Sequence, residues 1–185
     1  MRDPSDLVWI DVFDHMFWMS YETYGVRFGE SSEDAYNFDL KQGGYLTIFD
    51  SGTSTVYVPT SLWSHFVSTL TQYANIKFST QGHFYTYDCT PEKFPIIYLQ
   101  VAGYWLEMNP EDYLLDATES GNHSSCMFAF TQNEDEFWLL GDVFYRGYYV
   151  VHDDVNAKLG IAPHSASRKK ALTRDYVYPT QTLQE

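Results

Sequence analysis

Tyr45-Leu-Thr-Ile-Phe-Asp-Ser-Gly-Thr-Ser54 and, far downstream, Phe137-Trp-Leu-Leu-Gly-Asp142 are the two stretches that decide the fold. The first is a short run of branched and aromatic residues, the composition of a buried strand, aimed straight at a carboxylate. Its Asp50-Ser-Gly triplet reads as a tight turn. Gly52 admits an unusual backbone angle there and lets main-chain N–H groups face the carboxylate, while Ser51, Thr53 and Ser54 add hydroxyl donors beside it. An apolar lead-in makes Asp50 partly buried, where a carboxylate is unfavourable unless hydrogen-bonded or protonated. The second stretch, through Leu139, Leu140 and Gly141, is an apolar strand of a kind that can pack against that turn and fix it.

Working outward, the 185 residues fit one domain with a sizeable core, since 44% are hydrophobic. The aromatic load of 16 Tyr, 13 Phe and 5 Trp, set in short apolar segments, favours a β-rich fold. Strand-like runs cover Leu7 to Val12, Trp18 to Phe28, Thr55 to Val58, Phe84 to Tyr87, Ile96 to Val101 and Tyr104 to Met108. Cys126 to Phe130, and a closing hairpin of Tyr149 to Val151 and Leu159 to Ala162 around Asp153-Asp-Val-Asn156, read the same way. Only Leu62, Trp63, Phe66, Val67, Leu70 and Tyr73 recur at helical spacing, which predicts one amphipathic helix over about 61–75, with Thr60 or Ser61 as its cap. Asn109-Pro-Glu-Asp112 is a second, shorter helix start, and Asp142 is placed to cap one brief turn. The fold class is therefore all-β with one amphipathic helix and short helical turns. Beyond Pro163 the character turns to Ser, Arg, Lys and Thr, so 164–185 reads as a polar, flexible tail.

The net charge of −14 and pI near 4.6 argue against nucleic acid or anionic membrane as partner, because both recruit Lys and Arg. An acidic surface also suits an acidic compartment. No stretch approaches the ~20 apolar residues of a membrane-spanning helix. The first residues hold only a four-residue apolar run, so no signal peptide is read in this chain. His152-Asp153-Asp154 has no second ligand cluster at a matching spacing, so it reads as solvated turn residues and no metal or other cofactor is expected. No Gly-x-Ser-x-Gly nucleophile motif is present. Cys89 and Cys126 are compatible with a bridge or with two free thiols; a bridge would contribute roughly 4 kcal/mol on the chain-entropy view and imply an oxidising compartment. Asn122-His-Ser124, between them, is a glycosylation acceptor pattern. The acidic segment Thr131–Glu136 reads as a solvated connection.

The order of these segments resembles the second lobe of the pepsin-like aspartic proteases over about residues 7–163. Leu7-Val-Trp-Ile-Asp-Val12 is similar to the segment crossing between the two lobes, and Phe17-Trp-Met19 to the start of the second lobe. Asp50-Ser-Gly-Thr-Ser54 followed by Val58-Pro-Thr60 resembles the second catalytic loop and its helix. Phe94-Pro-Ile-Ile97, Val101-Ala-Gly103 and Pro110-Glu-Asp-Tyr113 follow in the family's order. Leu139-Leu-Gly-Asp-Val-Phe144 through Leu159-Gly-Ile-Ala-Pro163 resembles its closing signature almost residue for residue.

That resemblance implies one lobe of an acid-protease double-psi barrel, with an inter-lobe segment at 1–12, the lobe at 13–163 and the tail at 164–185. It implies Asp50 as one of two catalytic aspartates, and Thr53 as donor to the outer carboxylate oxygen. Ser51 would stand in the hydroxyl clasp between loops, and Gly52, Thr53 and Ser54 would line a peptide cleft. Ile48 and the Thr131–Glu136 loop would shape side-chain pockets, Leu139, Leu140 and Gly141 would support the loop, and Cys89 and Cys126 fall where the family places a disulfide. His152 stands where an aromatic residue is usual. The expected partners are a peptide or protein substrate and an N-terminal lobe of the same precursor; the expected compartment is secreted or lysosomal/vacuolar. The chain contains the Asp-(Thr/Ser)-Gly loop once. Two alternatives stand beside an endopeptidase lobe: a catalytically inactive, protease-like interaction domain, and a homodimeric protease with one aspartate from each copy.

Overall fold

The structure, a computed structural model, describes residues 3–13, 19–29, 35–37, 44–73, 76–78, 83–116, 125–167, 172 and 181–182. Asn122 lies outside them. In chain order the first elements are β1 (Val8–Asp11), β2 (Met19–Phe28), β3 (Ala35–Asn37), β4 (Tyr45–Phe49), β5 (Val56–Val58) and the helix α1 (Thr60–Leu70). Next come β6 (Lys77–Phe78), β7 (Phe84–Thr86), β8 (Ile97–Val101), β9 (Tyr104–Met108), the single turn α2 (Pro110–Tyr113), β10 (Leu114–Asp116) and β11 (Cys126–Phe128). The chain continues through β12 (Phe130–Gln132), β13 (Phe137–Leu140), the short α3 (Asp142–Tyr145), β14 (Tyr148–Asp153), β15 (Lys158–Pro163) and β16 (Gln181–Thr182).

The largest sheet runs β12-β5-β13-β4-β2-β3-β16, with β8 and β9 branching from β2. Its central feature is a crossing. β4 and β5, the two arms of the Asp-Ser-Gly turn, are not neighbours, because β13 lies between them, parallel to β4 and antiparallel to β5. Parallel neighbours need long connections, which is why the two halves of this arrangement sit so far apart in sequence. The fold is thus mainly β, as the residue pattern implies. Among the described residues, however, the strands do not close into the barrel that the resemblance implies: the order stays open, with β9 and β16 each paired on one side only. A three-stranded sheet, β1-β15-β14, and a four-stranded one, β10-β11-β7-β6, complete the lobe. The disulfide between Cys89 and Cys126, with Cα atoms 5.6 Å apart, ties the start of β11 to the chain leaving β7.

α1 covers one face of the large sheet. Its buried stripe of Leu62, Phe66, Val67 and Leu70 follows the helical period, and Phe66 packs edge-on against Phe130 at 4.8 Å and Trp138 at 6.1 Å. Trp138 is fully buried, so β13 is held from behind by aromatic packing. The helix is shorter than its sequence pattern predicts. It ends at Leu70, and Gln72 and Tyr73 make tighter i→i−3 bonds, because Tyr73 lies exposed and gives a further turn nothing to bury. Nor do Thr60 or Ser61 cap it. Pro59 holds the cap position without a side-chain bond, and the Ser61 N–H and hydroxyl donate to the Glu136 carboxylate at 3.2 and 2.6 Å.

The reading of Thr131–Glu136 as a solvated connection holds for Gln132 and for Glu134 to Glu136, which are exposed, but it misses the ordered bonds that the segment makes. Thr131 and Gln132 belong to β12, Asn133 is buried and donates from its amide to the Phe137 carbonyl at 2.8 Å, and Glu136 serves the helix start. The hydroxyls of Tyr45 and Ser61, 2.8 Å apart, extend the chain of bonds to β4. A distant carboxylate at a helix N-terminus satisfies orphan N–H groups and meets the positive end of the helix. Removing it in Glu136→Ala is expected to lower stability by about 1 kcal/mol, read from the urea midpoint at unchanged slope.

Candidate active site

The turn at Asp50 is held from three directions. Its own N–H donates to the Leu140 carbonyl at 3.1 Å, continuing the β4–β13 ladder one residue past the strand. Its carboxylate, half-buried, accepts the Gly52 N–H on Oδ1 at 2.9 Å and the Thr53 hydroxyl on Oδ2 at 2.6 Å. Downstream, the Asp142 N–H donates to the Thr53 carbonyl at 2.6 Å. Each carboxylate oxygen therefore has one fixed donor and keeps further lone-pair capacity toward the open side.

The glycines work by room rather than by backbone angle. Gly52 is not among the glycines of positive φ, so the expected unusual angle is absent. A Cβ there would instead sit 3.1 Å from Asp50 Oδ1, close against the oxygen that its N–H must reach. Gly141 is more constrained: a Cβ would lie 2.3 Å from the Thr55 carbonyl oxygen and 2.4 Å from that of Thr53. Main chain passes main chain at this point. Asp142 follows with its side chain exposed; it caps nothing, and lies 3.9 Å from the Arg146 guanidinium while its N–H does the holding.

Asp50, Ser51, Gly52, Thr53 and Ser54 are thus brought against Leu139, Leu140 and Gly141. Leu140 and Gly141 are buried, Leu139 is half-buried, and Ser51, Gly52 and Ser54 are exposed. Ile48 pairs with Leu139 at half-burial. Cys89 and Cys126 take no part, since their bridge lies in the four-stranded sheet. Three participants are not marked by the sequence pattern. Thr55 and Thr131 face each other hydroxyl to hydroxyl at 3.1 Å, bracing the exit of the turn. Tyr145, at the end of α3, lies close enough that the Asp50 carboxylate adds to the effect of burial in holding its phenol well above the usual range. Nothing short of the fold connects Tyr145 with residue 50, and the resemblance sets Thr131 only within a pocket-shaping loop.

A half-buried carboxylate with both oxygens fixed by donors, mounted on a braced turn and open on one side, can act as a proton donor or acceptor toward a group held in front of it. Alone, it offers one carboxylate where a water-activating pair needs two.

A family model described as eukaryotic aspartyl protease matches residues 4–164. Pepsin A of Sus scrofa is 31% identical over 121 residues, covering 65% of this chain and 30% of that protein. Gastricsin of Cavia porcellus is 24% identical over 169 residues, and cathepsin D of Dictyostelium discoideum 26% over 167, each covering 85% of this chain. The chain spans only 30% to 39% of the length of these relatives. Given the 2.3 Å approach at Gly141, Gly141→Ala is expected to cost more than about 3 kcal/mol in the urea midpoint or prevent folding, whereas Ser54→Ala, exposed and outside the clamp, leaves stability within about 0.5 kcal/mol.

Proposed function

The chain belongs to the eukaryotic aspartyl protease family, and from that premise we propose that it supplies the C-terminal lobe and one of the two aspartates of an aspartic-type endopeptidase. The observation that carries this reading is the Asp50 carboxylate, fixed at 2.9 Å by the Gly52 N–H and at 2.6 Å by the Thr53 hydroxyl on a turn pinned by Leu140 and Asp142. Such fixation is what a carboxylate needs if it is to meet a second one and a water at a set distance.

The mechanism follows from pairing. Two carboxylates facing each other repel as anions, so the pair keeps one proton between them. A water held by both loses its proton to the ionised partner as it attacks the scissile carbonyl, and the protonated partner donates to the carbonyl oxygen. No covalent intermediate forms. Asp50 takes one of these two roles, and Thr53 and Gly52 hold it in place. Ser51, exposed at the turn, offers its hydroxyl to the loop of the other lobe. Gly52, Thr53 and Ser54 line the peptide cleft.

The sequence holds one Asp-(Thr/Ser)-Gly loop, which favours a missing lobe from the same precursor over a self-sufficient chain. We take 1–12 as the inter-lobe segment, 13–163 as the lobe and 164–185 as a tail, of which Gln181 and Thr182 return to pair with β3. The substrate is a peptide or protein. The Cys89–Cys126 bridge supports an oxidising compartment, hence a secreted or lysosomal/vacuolar location, where Asn122 can carry a glycan.

Joined to an N-terminal aspartyl protease lobe, the protein is expected to hydrolyse peptides at acidic pH, and Asp50→Ala is expected to reduce kcat by roughly 100-fold to 10,000-fold with folding unchanged. A two-lobe protein that binds peptide without cleaving it would favour the interaction-domain reading instead.

A further inference from the structure

Arg27, near the end of β2, is held by aromatic rings and, among the described residues, by no acid. Its Cζ lies 4.1 Å from the centroid of the Tyr98 ring and 5.0 Å from that of Trp105, and the side chain is half-buried. The Nε is wholly buried and meets no acceptor. Aromatic faces hold a guanidinium by its flat sides, through attraction to the ring quadrupole, and leave its in-plane N–H edge free for other partners.

The register of β2, β8 and β9 accounts for this placement. Arg27 pairs with Tyr98 and Tyr98 with Glu107, so these three share one face, and Gly25, Gln100 and Trp105 form the next row on it. The opposite face carries Val26, Phe28, Ile97, Leu99, Leu106 and Met108, each at most 2% exposed, and belongs to the core. Arg27 therefore reaches across Tyr98 toward Trp105 on the side of the sheet turned away from the core. Glu107, the acid of that row, stands two strands away, about 10 Å between Cα atoms, and makes no ion pair with Arg27. Eight residues along β2 separate Arg27 from Met19, the partner of Ile48. At about 3.3 Å per residue the cation sits roughly 25 Å from the Asp50 turn.

A carboxylate is planar, and its two oxygens match the fork of a guanidinium edge, so that parallel N–H···O bonds form in the plane the rings leave open. Rings that already fix the fork remove much of the ordering such a pair demands. The chain as a whole carries −14, which disfavours a polyanion such as nucleic acid. A single carboxylate on an otherwise uncharged peptide meets this cation at short range, where the distant charges are screened. We propose that Arg27, between Tyr98 and Trp105, is an anion-binding site that takes the carboxylate of an Asp or Glu side chain in a peptide partner. The site is remote from Asp50 and does not depend on the reading of that residue as catalytic.

The test is an NMR titration of the isotope-labelled full chain with a short, end-blocked alanine peptide holding a single Glu, and with the same peptide holding Gln instead. The signals followed are the Arg27 Nε–H, which burial shields from exchange with water, and the Trp105 indole N–H. Both are expected to shift and saturate with the Glu peptide and to stay still with the Gln peptide, while the Gly52 and Thr53 amide signals do not move. Arg27→Lys keeps the charge but not the fork, and is expected to weaken binding about 10-fold or more. Inorganic phosphate is expected to bind more weakly than the Glu peptide. Equal responses to the two peptides, no saturation with the Glu peptide, shifts at Gly52 and Thr53 in place of Arg27, or undiminished binding in Arg27→Lys overturn the site. Tighter binding of phosphate than of the Glu peptide overturns the peptide assignment in favour of a free oxyanion. The comparison of the two peptides uses the unaltered chain, so it decides the matter even where Arg27→Lys fails to fold.

Discussion

The close passage of Gly141 beneath Thr53 and Thr55 is the constraint from which the rest of the lobe can be understood. Only where a Cβ is missing can the Asp142 N–H reach the Thr53 carbonyl at 2.6 Å while Leu140 holds the Asp50 N–H at 3.1 Å. These two bonds grip the turn before and after the carboxylate. Thr53 can then place its hydroxyl on Oδ2, and Gly52 its N–H on Oδ1, because the backbone between them has no freedom left. Position at the carboxylate is therefore set by main-chain contacts, which a change of surface residue does not disturb.

The clamp works only if β13 is kept in register between β4 and β5. A slip of one residue would turn Trp138 and Leu140 out of the core and bring the wrong carbonyl to Asp50. Three things oppose the slip: the burial of Trp138 against Phe66, the Asn133 amide on the Phe137 carbonyl, and the tie from Glu136 to the start of α1. The first is nondirectional and large, while the other two fix direction. The helix thus stabilises the site by holding the strand that holds the turn.

Much of this was legible in the residues. The apolar run into Asp50, the hydroxyls beside it and the pattern Leu139-Leu140-Gly141 named the turn and its support, and the alternation of short apolar segments named the fold class. Periodicity found α1 but overran it, because Tyr73 fits the helical repeat and only its exposure shows that the repeat has lost its partner surface. Thr131–Glu136 looked solvated because acids and amides are polar wherever they sit; that Asn133 is buried and Glu136 serves a helix 75 residues away in sequence depends on topology alone. Gly52 illustrates a different limit. A glycine in a turn suggests a special angle, yet here the requirement is space for an N–H beside an oxygen, and sequence does not distinguish the two.

On the proposed reading, the Asp50 carboxylate is one of the two that a shared binding site requires. The most direct measurement is calorimetric titration of a pepstatin-type inhibitor, whose central hydroxyl sits between two carboxylates, into the purified chain and into its two-lobe form at acidic pH. The account predicts no measurable binding to the chain alone, and one inhibitor per molecule of the two-lobe form, lost in Asp50→Ala. One inhibitor bound for every two copies of the isolated chain would point to a homodimer, and one bound per single copy would contradict the half-site outright.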